Sequence, residues 1–164
     1  MVDKIIKKAI EYDAGDPRRV HHLLKVHSFA KTIGTLENLG QKELQILEIA
    51  AILHDIGIHE CERKYSSTGG NFQEIEGPPI AKELLEEFNL PEDMLERVLF
   101  LIGHHHTYSG IDGADYQILV EADFLVNIYE DSMDEKQVKS IKERIFKTSS
   151  GKYFLEKLYL DAKN

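Results

Sequence analysis

The chain has 164 residues, of which 42% are hydrophobic and 30% charged, the profile of one globular domain able to bury a core without staples. Its formal net charge of −9 works against a long polyanion as partner, because sequence-independent nucleic-acid affinity comes largely from Lys and Arg at phosphates; a small phosphorylated metabolite stays open. The single cysteine, Cys61, excludes an internal disulfide and a Cys-rich zinc module, and no segment approaches the roughly 20 apolar residues of a membrane span.

The opening segment MVDKIIKKAIEY lacks an apolar core of signal-peptide length, so a soluble, cytoplasmic protein is expected. Asp16-Pro17 offers an N-cap followed by proline at the first helical position, and Gly40 closes the helix that follows. Within it His22, Val26, Phe29, Ala30 and Ile33 recur at the spacing of one buried face. The next helix runs from about Lys42 to Ile56, with Leu44, Leu47, Ala50, Ala51 and His54 as its stripe and Gly57 as a left-handed stop. Residues 57 to about 75 lose this periodicity and read as a long loop, with Gly69-Gly70 as the hinge of a lid.

Gly77-Pro78-Pro79 opens a helix to about Phe88, and Pro91 opens another that runs into His104, His105 and His106. After the turn SGIDGAD a helix spans Tyr116 to about Tyr129, Ser132 and Glu135 form a capping box for another, and Lys152 to Leu160 is the last. No alternating strand pattern persists. The expectation is one all-α domain over residues 1–164, of about seven to eight helices, with those of residues 132–160 packed on the rest. The C-terminal helices are amphipathic (Ile141, Ile145, Phe146, Tyr153, Phe154, Leu158); that surface is expected to be core, with a homodimer contact as the alternative.

Chemistry enters through polar residues on apolar stripes. His22 shares one with Val26 and Ile33, and His54 shares one with Leu47 and Ala50, with Asp55 directly after it. Asp123 stands four residues after Leu119 and three before Val126. Singly, an inward histidine is more often a hydrogen-bonded core residue, and a lone aspartate serves equally well as the cap of a neighbouring helix. A buried carboxylate, however, needs a partner or a metal. Four such groups on three helices, with a histidine cluster on a fourth, describe a transition-metal site in a bundle core.

The order His…His-Asp…Asp resembles the HD superfamily of metal-dependent phosphohydrolases. RVHHLLKVHSFA is similar to the family's first-histidine helix, IAAILHDIG to its signature helix, and LVEADFLVN to the helix carrying its last aspartate. The resemblance runs from about Asp16 to Tyr129 and implies a helical fold with His22, His54, Asp55 and Asp123 as metal ligands. His22, rather than His21 or His27, keeps the family's spacing to Arg19, Val26 and Ala30. A second metal in some members uses extra histidines. Here Glu74 or Glu76 stands at one such position, and His105, then His104, is best placed for the other because Val98 and Ile102 mark the inner face. His106 is placed to cap the helix end.

The resemblance implies hydrolysis of a small phosphorylated substrate, a nucleotide above all, by water activated at one or two divalent ions (Mn, Fe, Co, Ni or Zn). His54 and Asp55 would be the catalytic pair, with Asp55 also orienting the water, and Arg19, Arg63 or Lys64 would meet the phosphate. An HD-type di-iron oxygenase and a non-catalytic ligand-binding regulatory protein are the alternatives.

Overall fold

A computed structural model describes residues 1–161, and every regular element among them is helical. In chain order these are α1 (Val2–Tyr12), α2 (Pro17–Leu36), α3 (Gln41–Leu53), α4 (Ile58–Tyr65), α5 (Gly70–Leu85) with a 3₁₀ turn at Glu86–Phe88, α6 (Glu92–Ile102), α7 (Ala114–Glu130), α8 (Glu135–Arg144) and α9 (Ser149–Leu155), which closes in a π turn at Glu156–Leu160. No described helix is long and apolar enough to cross a membrane.

Helix α3 is the axis of the core. Every residue from Ile46 to Leu53 is buried, Glu48 included through its pairing with His27 and Lys31, as expected of a helix enclosed by others. Against it pack α2, through Val26, Ala30 and Ile33, and α7, through Leu119, Ala122 and Val126, with α6 and α1 closing two further sides. Each fully buried aliphatic side chain contributes about 1.5–3 kcal/mol relative to exposure. The C-terminal helices are held by a polar pin. Glu121, buried on α7, accepts hydrogen bonds from Gln117 and from the backbone N–H groups of Lys147 and Thr148 in the α8–α9 connector.

Asp16 caps α2 as expected, its carboxylate accepting the Arg19 N–H at 3.1 Å. Several boundaries differ from the sequence reading. Helix α2 stops at Leu36, with Asn38 taking the left-handed turn (φ 61°) instead of Gly40. Gly57 is not left-handed (φ −79°); its Cβ would stand 2.7 Å from the backbone nitrogen of Gly77, so glycine is required by the close approach of α5.

The long loop expected over 57–75 is largely helical. Helix α4 fills its first half and α5 begins at Gly70, leaving only Ser66–Gly69 between them. Helix α4 has only two turns, with Ile58, Cys61 and Tyr65 as its apolar edge, a signal that the polar residues around it obscured. Pro78 and Pro79 lie inside α5 rather than at its start, although proline there removes intrahelical hydrogen bonds. The capping box of α8 is Asp134 with Gln137, two residues beyond the expected pair, and Thr148 caps α9 earlier than Lys152.

Candidate metal centre

Three helices carry a polar side chain into the core at one point. His22 comes from the second turn of α2, His54 from the end of α3, and Asp123 from the middle of α7; each is at most 5% exposed. His22 Nε2 lies 3.2 Å from His54 Nε2 and 3.2 Å from Asp123 Oδ1, and His54 Nε2 lies 3.5 Å from the same oxygen. Asp55, in the turn after α3, reaches His22 Nε2 with Oδ2 at 3.4 Å and His54 Nε2 with Oδ1 at 3.6 Å.

Asp55 also belongs to a second group. Its Oδ1 is 3.5 Å from Nε2 of the buried His105, and His106 completes a cluster with both. The two clusters, His22/His54/Asp123 and Asp55/His105/His106, are thus joined through one carboxylate.

Hydrogen bonding on the far side of each ring fixes which nitrogen is free. His54 donates Nδ1–H to the Ala51 carbonyl at 2.8 Å, and His105 donates to Ile102 at 2.7 Å. His22 donates to the Glu130 carboxylate at 2.9 Å, and Glu130 is held in turn by Lys25. With Nδ1 committed to these outer partners, each Nε2 faces the cluster and can give its lone pair to an ion that displaces any proton there. Such outer carboxylate and carbonyl partners are the usual support of ligating histidines. The Nε2 atoms of His105 and His106 are buried without any hydrogen-bond partner, a costly arrangement that a divalent ion would relieve. The donor set therefore fits a transition metal.

The electrostatics mark the same point as a place for positive charge. Burial opposes ionisation of Asp123 and Asp55, but the adjacent imidazoles outweigh it and hold both carboxyls well below the usual carboxylate range. Burial likewise disfavours an imidazolium at His54, yet the charge of Asp55 and the hydrogen bond to Asp123 raise its pKa to about 9, so with no ion bound a proton stands on Nε2 facing Asp123, where a divalent ion would replace it. Burial, reinforced by His105, lowers His106 to about 4 and keeps it a neutral donor.

A cleft of about 300 Å³ opens onto the cluster, and His22, Asp55, His106 and Asp123 line it together with Arg18 and Arg19. Arg19 is tied only loosely, to Glu62 at 3.4 Å and Asp16 at 3.9 Å, and its buried Nε has no hydrogen-bond partner.

The other candidate residues lie elsewhere. Arg63 is exposed and bound to Glu60, and Lys64 pairs with Glu60 and Glu76; neither lines the cleft. Glu76 accepts from Lys64 and Tyr65, both at 2.7 Å, and belongs to neither cluster. His104 turns away, donating to the Phe100 carbonyl at 2.7 Å with its ring stacked on Phe100. His106, read from the sequence as a cap, takes the place beside His105. His21 is exposed, and His27 pairs with Glu48 at 2.9 Å.

Sequence reasoning missed Arg18, Glu130 and Asn127. Asn127 donates to Asp123 Oδ1 at 2.9 Å and so helps to fix that carboxylate. A signal for two of them existed: Asn127 and Glu130 stand four and seven residues after Asp123, on the same face of α7.

Comparison with known proteins bears on this arrangement. The HD-domain family model matches residues 19–147. The crystal structure of a predicted HD superfamily hydrolase from an uncultured Thermotogales bacterium is similar over 94% of this chain and 83% of its own, with a TM-score of 0.67 at 24% identity, a likeness of fold. No curated protein matches the sequence.

Proposed function

The chain belongs to the HD-domain family, and from that premise we propose that it is a metal-dependent phosphohydrolase acting on a small phosphorylated metabolite, with nucleotides the leading class. The observation that carries this reading is the convergence of imidazole Nε2 atoms on the carboxylates of Asp55 and Asp123 at the floor of a cleft containing arginines.

His22, His54, Asp55 and Asp123 would hold one divalent ion, and Asp55, His105 and His106 a second. Such an ion, when bound, supplies a lowered pKa to water and polarises a phosphoryl oxygen. The protein's own groups do the rest. Glu130 and the Ala51 carbonyl keep His22 and His54 in the tautomer that presents Nε2 inward. Asp55, between the two clusters, orients the attacking water. Arg19, with Arg18 beside it, receives the phosphate, since guanidinium matches phosphate oxygens in a fork. A cleft of about 300 Å³ stands at the small end of ligand sites, which favours a single metabolite over a nucleic acid.

A test is to strip the protein with chelator, restore Mn, Fe, Co, Ni or Zn singly, and screen nucleoside monophosphates, triphosphates, dinucleotides and cyclic species for phosphate release. Chelation should stop turnover and at least one metal should restore it; release that survives complete metal removal would refute the reading. A second reading, a di-iron oxygenase, draws on the carboxylate shared between two donor clusters. Two irons per chain with oxygen consumption and no phosphate release would favour it.

A further inference from the structure

Glu74 and Glu76 are alternatives in the sequence, and the structure gives them different work. Glu76 faces Lys64 and Tyr65. Glu74 crosses from α5 to the turn after α6, where Oε1 accepts the backbone N–H of His106 at 3.0 Å and the Thr107 hydroxyl at 2.9 Å.

His106 differs from the other inward histidines in how its ring is held. His22, His54 and His105 are each fixed by a hydrogen bond of 2.7–2.9 Å at Nδ1. His106 has at Nδ1 only the Tyr108 hydroxyl, at 3.5 Å, too long to orient it, and its buried Nε2 has no partner. Packing must therefore aim the ring. One neighbour is His105, with ring centroids 4.0 Å apart. Another is the first residue of α5: a Cβ at Gly70 would stand 2.6 Å from His106 Cγ, so any larger residue would displace the imidazole.

We propose that the Gly70–Glu74 turn of α5 positions His106 for the second metal ion, with Glu74 acting as a positioning residue and not as a ligand. Gly70 sets the ring's place by contact and Glu74 sets its backbone by hydrogen bonding. Occupancy of the second site then depends on α5, which supplies no ligand to either site. The inference rests on the metal-binding reading above.

The test uses the full chain, stripped of metal and titrated calorimetrically with Mn²⁺, with thermal melting as a control for folding. Wild type should bind two ions. Glu74→Ala and Gly70→Ala should weaken the second by roughly 10–100-fold, the usual effect of removing an outer partner, and leave the first unchanged. Glu74→Gln, which keeps an acceptor, should lose less, and Glu76→Ala should keep both ions.

Unaltered second-ion affinity in Glu74→Ala and Gly70→Ala would overturn the inference while leaving the proposed function intact. Loss of both ions together, a second ion lost only in Glu76→Ala, or a single ion in wild type would overturn it as well. Absence of any Mn²⁺ binding by wild type would instead strike the proposed function itself.

Discussion

The two donor clusters are built differently although they share Asp55. The inner one takes His22, His54 and Asp123 from α2, the end of α3 and α7, helices whose other faces form the centre of the core. The outer one takes His105 and His106 from a turn beyond α6, where Ile102 holds the His105 ring and α5 meets His106 through Gly70 and Glu74. A cluster on long packed helices inherits the rigidity of the core. At the helix ends His54 and His105 still turn Nδ1 back to a carbonyl three residues earlier, whereas His106, one residue further on, has none and must be held from outside.

The largest test of this division is the residue common to both sides. Asp55→Ala should empty the two clusters and abolish phosphate release, read by elemental analysis and a turnover assay. A mutant retaining full activity would break the account. Next, His22→Ala should lower the metal content by taking away an inner ligand, whereas the exposed neighbour His21→Ala should leave it at the wild-type level. Equal losses in both would place the α2 register in error.

The same contrast explains what could be read from the amino acids. His22, His54 and Asp123 stand out because each interrupts an apolar stripe of three- and four-residue spacing, and such stripes exist only on helices long enough to repeat. The all-helical class was legible for the same reason. Helix α4 was missed although Ile58, Cys61 and Tyr65 stand at helical spacing, because two turns flanked by Gly57 and the Gly69-Gly70 pair read as irregular, and residues 57–75 became a loop. The choice among His104, His105 and His106 depends on how the chain turns after α6, which no stripe records. There His104 rotates onto Phe100 while His106 swings to His105. Arg63 and Lys64 were plausible by charge alone, and ion pairs with Glu60 and Glu76 occupy them.

Smaller effects sharpen the picture. Glu130→Ala removes the partner that fixes the His22 tautomer, and inner-ion affinity should fall by about 10–100-fold in calorimetry, with the ligands themselves untouched. Arg19→Ala should raise KM for a phosphorylated substrate by about tenfold, the worth of a charge-assisted contact. Arg63→Ala, by contrast, breaks only an exposed ion pair, and kinetic constants should stay within about twofold.

The central claim is that these side chains hold divalent metal at this place, and anomalous diffraction from crystals of the Mn²⁺-loaded protein tests it most directly. The account predicts one peak in contact with His22, His54, Asp55 and Asp123 and a second shared by Asp55, His105 and His106. Anomalous density absent from the cluster, or found only at surface carboxylates elsewhere, would contradict it.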